Sequence, residues 1–231
     1  ILISGILGAA RTVYMYTGSL YFAKYVLGNE AVYSILTILV VPGGAIATVL
    51  IPWFTKHLGK KNTYIYVHAL GAVVMFAMYF IGRNGGYNNS SNLLWLAIGF
   101  VLLGLPQGIN NVITYAMIGD TVEYLEWKTA ERAEGICFSM QTFINKISMA
   151  VGAFIGVMAY GISGISPSDP YNTVTPEGSE KLWAVLILSG AISMVATIIP
   201  MLFYKVTESK QREYVKEIEE RKAAKAAKTA E

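Results

Sequence analysis

Six long apolar runs, at about 2–27, 31–55, 63–82, 93–119, 135–163 and 181–204, constrain this chain more than anything else in it. Each approaches or exceeds the roughly 20 apolar residues that a helix needs to cross a bilayer. Short polar breaks separate them, and a polar stretch, 205–231, follows the last. Only 14% of the residues are charged, where a soluble domain carries about 25%. So much apolar surface cannot be hidden in one soluble core. The apolar content and seven prolines also exclude the disordered and fibrous classes. The single cysteine, Cys137, excludes a disulfide framework and any multi-cysteine metal site. The spacing predicts an all-α membrane protein of six transmembrane helices. The first run starts at Ile1 with no Met, basic leader or cleavage site, which reads as part of a longer protein rather than a signal peptide.

The basic residues give the orientation. Of 18 Lys and Arg, eight lie in the tail, three at 55–62 (Lys56, Lys60, Lys61) and two at 120–134 (Lys128, Arg132). With six spans these regions share one side, while the other side holds only Lys24, Arg83 and Lys181. The positive-inside rule then predicts that the chain start and the tail are cytoplasmic. The tail mixes bases with acids, has Glu217 and Arg221 at helical spacing, and reads as a solvated, helix-prone extension near the lipid headgroups.

Polar side chains within the spans are costly against lipid and are expected to face protein or water. Gln107, Asn110, Asn111 and Thr114 fall on one helical face. Gln141, Asn145 and Ser148 form a second stripe, flanked by Thr142, Lys146 and Met149, and Arg11, Tyr14, Gly18 and Tyr21 form a third. Such stripes are either interhelical glue or the wall of a water-filled cavity. Three stripes carrying two cations favour the cavity. Lys146 lies about 15 Å into its span, and no Asp or Glu lies inside any span to pair with it. The pairs Gly104/Gly108 and Gly152/Gly156, and the Pro42-Gly43-Gly44 stretch with Ala47, read as close helix contacts. His57 and His68 have no ligand-spaced partners and read as surface or interface groups. No catalytic, phosphate-binding or metal motif is present, so neither an enzyme, a metal site nor a bound cofactor is expected, and no nucleic-acid partner.

The most specific stretch is Met117 to Lys146, MIGDTVEYLEWKTAERAEGICFSMQTFINK. It resembles the glycoside–pentoside–hexuronide:cation symporters of the major facilitator superfamily, the melibiose-permease-like carriers. Their C-terminal half has a D-x-V-[DE]-Y-x-E-[WY]-K-x-x-x-R-x-E run between helices ten and eleven, met here by Asp120 to Lys128, Arg132 and Glu134. A Q-T-x-x-x-K follows, met by Gln141, Thr142 and Lys146. The Tyr-Phe-Ala-Lys-Tyr-Val-Leu-Gly end of the first run and the basic Lys56–Lys61 loop are also similar. Asn111 stands where the melibiose-permease pattern has a Trp near the sugar, which leaves a stacking contact and the identity of the sugar open.

This resemblance implies that the chain, apart from its 205–231 tail, is the C-terminal six-helix half of a twelve-helix carrier. Its implied activity is secondary active transport of a sugar or glycoside by alternating access, coupled to Na+ or H+. The ion site, the only expected bound co-ligand, would lie in the N-terminal six-helix half, which is the chain's implied partner besides the bilayer. Lys146, Gln141 and Thr142 carry the implied sugar contacts, to which the stripes add Asn145, Asn111, Gln107, Arg11 and Tyr14. Asp120, Glu123 and Arg132, with Glu134 beside them, are the expected cytoplasmic gate. The implied location is the bacterial inner membrane. Other readings are a facilitator-type carrier of a lipid, peptide or drug, and a membrane scaffold that transports nothing.

Overall fold

The computed structural model describes residues 1–15, 17–165 and 174–229, and among these every regular element is helical. A short α1 (Leu2–Leu7) leads through a 3-10 stretch (Ala9–Met15) into α2 (Thr17–Tyr21) and a π turn (Phe22–Val26). Then come α3 (Ala31–Gly82), α4 (Ser90–Thr129), α5 (Glu134–Ser163), α6 (Pro176–Leu202) and α7 (Glu208–Thr229). Four of these, α3 to α6, are long and apolar enough to cross a membrane.

The expected breaks are sharper than the sequence suggested. α3 is two helices meeting at Gly59, whose φ of 78° and ψ of 160° interrupt the helix. Only glycine takes that positive φ without strain, so the basic 55–62 break is a one-residue corner. α4 begins where the Asn89 side chain caps the Ser91 N–H. It stays helical through Asp120–Thr129, which the sequence assigned to a break.

Backbone contact between small residues joins the first half of α3 to α4. A Cβ on Gly104 would lie 2.2 Å from the Val40 carbonyl oxygen and 2.6 Å from the Gly44 nitrogen. One on Gly108 would lie 2.5 Å from the Gly44 oxygen. The expected Gly43, Gly44, Gly104 and Gly108 contacts are therefore made, and to each other. The apolar core gathers Met75, Met78, Leu103, Leu182, Leu186 and Met194 between α3, α4 and α6.

Ile38, Val49, Trp95, Phe154 and Ile192 are instead more than half exposed. In water this would be an aggregation liability; around these long apolar helices it is the contact surface for acyl chains. The protein is an integral membrane protein.

The first apolar run is not a continuous helix. Its backbone is broken at Gly8 and departs again from α-helical geometry at the π turn. Irregular backbone at membrane depth is tolerated only where protein or water satisfies it, and here hydroxyls do so. Ser148 on α5 donates to the Gly5 carbonyl at 3.0 Å. On α6, Ser193 donates to the Leu7 carbonyl at 2.6 Å and Thr197 to the Ser4 carbonyl at 2.5 Å. Ser193 and Thr197 are one helical turn apart, so one face of α6 reaches two carbonyls beside the break, the Ser4 one also accepting the Gly8 N–H at 2.9 Å.

The tail differs most from expectation. It is helical, as the Glu217/Arg221 spacing suggests, but it is docked rather than solvated along its length. α7 lies against the end of α4, with Tyr214 packed on Trp127 at 4.7 Å and on Tyr124 at 5.6 Å between ring centres. Ile218 is buried.

Candidate functional site

Beside the break at Gly8, side chains from three spans meet. Arg11, Asn110, Thr114, Gln141, Asn145 and Ser148 line a crevice that also touches Ser4 and Tyr64. Its volume of about 20 Å³ suits little more than one water. Gln141 donates to the Asn145 side-chain oxygen at 3.0 Å, and Asn145 in turn donates to the Tyr115 hydroxyl at 3.3 Å. Thr114 donates to the Asn110 side-chain oxygen at 3.4 Å. Helical spacing explains the α5 part, since positions 141, 145 and 148 project to one side.

Arg11 enters the crevice because of the break. One guanidinium nitrogen donates to the Gly8 carbonyl at 2.9 Å. The same nitrogen occupies the place of a side chain at position 8, being 2.1 Å from where a Gly8 Cβ would stand. Gly8 thus ends α1 and also makes room for the cation. Beneath lies a hydroxyl cluster, in which Ser4 Oγ is 3.1 Å from the Tyr64 hydroxyl and 2.8 Å from Thr197 Oγ1. His68 is fully buried next to it, stacked on Tyr64 with its Nδ1 2.8 Å from the Tyr64 carbonyl oxygen. The expectation of a surface or interface histidine is therefore corrected: position 68 is on the inward face of the second half of α3.

Other sequence candidates lie outside this crevice. Tyr14 is turned into the apolar core against Phe100, 5.9 Å between ring centres, and does not line the crevice. The α4 stripe divides, with Asn110 and Thr114 in the crevice, Gln107 half-buried and Asn111 exposed. Thr142 is exposed and its hydroxyl bonds back to the Phe138 carbonyl. Lys146 is exposed one turn further along the same flank, next to Asn145, and no hydrogen bond or ion pair reaches its ammonium among the described residues.

The expected gate residues form two linked clusters where α4 meets α7. In the first, Lys60 donates from Nζ to both Asp120 oxygens, at 2.6 and 2.7 Å, and from its backbone N–H to Glu208 at 2.5 Å. Asp120 is 6% exposed, and burial pushes its carboxyl above the usual range despite the Lys60 ammonium. Gln211 on α7 donates to Glu123 at 2.5 Å. In the second, Glu126, also 6% exposed, accepts from Lys222 at 2.6 Å and from Arg132 at 2.9 Å. Arg132 also reaches Glu134 at 3.1 Å. The Lys222 hydrogen bond, with help from Arg132, holds the Glu126 carboxyl below its usual range.

Sequence reasoning missed Lys60, Glu126 and the α7 partners of this network, including Glu217, which accepts from the Trp127 indole at 2.6 Å. A helical reading of 205–231 with Tyr214 and Ile218 four apart was the available signal for a docking face. The pairing of Lys60 with Asp120 spans 60 residues and had no local signal.

Comparison with known proteins places these features in context. A family model described as MFS/sugar transport protein matches residues 1–208. The glucuronide carrier protein homolog of Escherichia coli is 27% identical over 205 residues, covering 88% of this chain and 43% of that protein. The putative sulfoquinovose importer of the same organism is 30% identical over 203 residues, covering 87% and 41%. The raffinose carrier protein of Pediococcus pentosaceus is 27% identical over 205 residues, covering 86% and 30%. The chain spans less than half the length of these relatives.

Proposed function

Because the chain belongs to the MFS/sugar transport protein family, we propose that it is the six-span C-terminal half of a twelve-span carrier that moves a sugar or glycoside across the membrane. The broken first run, the two arms of α3, and α4, α5 and α6 are its six spans. The crevice is part of the wall of a central cavity whose other wall belongs to the N-terminal half. The carrier works by alternating access around this midplane site. Uptake is driven by Na+ or H+ bound in the other half, since the apolar runs here hold no carboxylate. The α7 end faces the cytoplasm of a bacterial inner membrane, as the thirteen bases on that side suggest.

One observation carries this reading: Arg11, Asn110, Gln141 and Asn145 come from three separate spans to one polar crevice at a backbone break. Discontinuous spans whose freed backbone and side chains face a shared cavity are the usual form of a midplane carrier site. Of the expected contacts, Gln141, Asn145 and Arg11 form the floor, and Lys146, Thr142 and Asn111 lie on the exposed flanks that a partner half would close over. Asp120 ties α4 to Lys60 of α3, Glu123 and Glu126 tie it to α7, and Arg132 with Glu134 joins this network through Glu126; such a charge network biases the two conformations.

The test is uptake of labelled glycosides into membrane vesicles holding the full-length protein. Gln141→Ala and Asn145→Ala each lower uptake at least tenfold, whereas Ile192→Ala, exposed on α6 and outside the crevice, leaves it unchanged. Normal uptake by both crevice variants refutes the site. An imposed Na+ or H+ gradient drives accumulation in the wild type, and accumulation unaffected by either gradient refutes the coupling.

A further inference from the structure

The second half of α7 is charged differently from the first. Residues 208–220 hold five acids and three bases, whereas 221–228 hold four bases and no acid. Alanine fills every position between those bases, and as the strongest helix former it keeps them at helical spacing. Arg221, Lys225 and Lys228 are at i, i+4 and i+7, on one face. Like charges so placed repel one another. The negative end of the helix offsets Lys228 in the last turn, but that effect does not reach Arg221, two turns earlier.

α4 completes a pocket against this face. Its volume is about 250 Å³, and Arg221, Lys222, Lys225 and Lys228 line it with the single acid Glu126. Glu126 is already bonded to Lys222 at 2.6 Å and to Arg132 at 2.9 Å, so its charge is met without the other three cations of the wall. Arg221 comes no nearer than 4.0 Å to Glu217, with both side chains about half exposed, a pair that contributes little. Ile218, Ala224 and Ala130 supply the apolar part of the wall. Cations around an apolar floor are complementary to a phosphate attached to carbon, and the volume admits a headgroup but not its acyl chains.

Position selects the source of that phosphate. Residues 203–207 alone separate the last span from α7, and Lys61 fastens this corner by donating to the Leu202 and Tyr204 carbonyls at 2.7 and 3.0 Å. α7 therefore starts at the membrane surface. Clusters of bases close after a span attract anionic lipid headgroups.

We propose that the pocket between α7 and the end of α4 binds the phosphate of an anionic phospholipid, with Arg221, Lys225 and Lys228 on its oxygens and Lys222 left on Glu126. Because both helices form the pocket, the bound lipid holds α7 in its docked position. This rests on the membrane-spanning fold and is independent of what the protein transports.

The test uses the full-length protein in a neutral detergent and follows adducts by native mass spectrometry. The protein is titrated with a short-chain phosphatidylglycerol, with the phosphatidylcholine of equal chain length, and with glycerol 3-phosphate. Phosphatidylglycerol fills one site at least tenfold more tightly than either of the others. The triple variant Arg221→Gln/Lys225→Gln/Lys228→Gln weakens that site at least tenfold, the lower end of the range for one lost charged hydrogen bond. Lys210→Gln/Arg212→Gln/Lys216→Gln, which removes three bases from the same helix outside the pocket, weakens it less than threefold. A second readout is cleavage after α6 by a protease specific for aromatic residues, whose sites neither variant alters. Phosphatidylglycerol slows this cleavage several-fold in the wild type and has no effect on it in the first variant. Equal binding of the two phospholipids, or equal loss in the two triple variants, overturns the proposal. Glycerol 3-phosphate binding as tightly as phosphatidylglycerol overturns the lipid assignment and makes the ligand a soluble phosphate.

Discussion

Replacing Gly8 by Ala separates the structural from the functional use of the broken first span. The added Cβ would stand 2.1 Å from the Arg11 guanidinium and 3.2 Å from both the Ser4 carbonyl and Thr197 Oγ1. The backbone at Gly8, with φ −79° and ψ 2°, is one that alanine adopts without strain. The guanidinium is the flexible end of a long side chain, so it yields and the fold does not. Its displacement removes a charged hydrogen bond worth about 1.5–3 kcal/mol. A loss of that size is within the range that leaves a protein folded. Transport suffers more, because Arg11 leaves the crevice: KM for the substrate rises about tenfold or more. Thermal unfolding in detergent and vesicle uptake measure the two effects side by side. The cycle with Arg11→Gln sharpens the result, since both changes remove one interaction and their effects on KM should overlap rather than add. Unaltered uptake by Gly8→Ala, or additive effects in the cycle, refutes the placement of Arg11.

Three further outcomes follow from the packing and the charge network. Gly104→Val destabilises the protein by about 3 kcal/mol or more, at or above the usual overpacking range, because the new side chain meets backbone at Val40 and Gly44 rather than a movable side chain; a melting curve checks it. Thr197→Val removes one hydrogen bond each from the Ser4 carbonyl and the Tyr64 hydroxyl, which keep the Gly8 N–H and Ser4 Oγ, and costs about 0.5–1.5 kcal/mol, read in the same assay. Glu126→Gln loosens α7 by weakening the Lys222 and Arg132 bonds, so limited proteolysis cleaves after α6 several-fold faster. The native Glu126 carboxyl titrates below its unfolded value, so its contribution is complete above the ordinary glutamate value of about 4.3 and is lost as pH falls through the lower native value. Tail release in the wild type therefore rises on acidification through that window, and in Glu126→Gln this step is absent.

The apolar runs and their small residues were legible because both are local. Span length, the Gly104/Gly108 pair and the polar stripes on α4 and α5 depend only on spacing along one helix, and the structure places Asn110, Thr114, Gln141, Asn145 and Ser148 together at the crevice. The break in the first run was not legible. Gly8 resembles any membrane-helix glycine until Ser148, Ser193 and Thr197, 140 or more residues away in sequence, are seen to cap the carbonyls around it. Tyr14 went astray for the same reason, since helical spacing aligned it with Arg11 while its ring packs on Phe100, distant in sequence, in the core. His68 looked peripheral because periodicity in an all-apolar helix does not mark its inward face. The tail was read from its charge alone, yet Tyr214, Ile218 and Lys222 dock it against α4.

The central claim is that the crevice beside Gly8 belongs to a sugar path. It is tested most directly by an Asn145→Cys substitution in the full-length protein with Cys137→Ser. The account predicts that a water-soluble thiol reagent modifies position 145 and that saturating transported glycoside slows the reaction at least fivefold, while a non-transported sugar does not. A modification rate that transported glycoside leaves unchanged, with uptake retained, contradicts it.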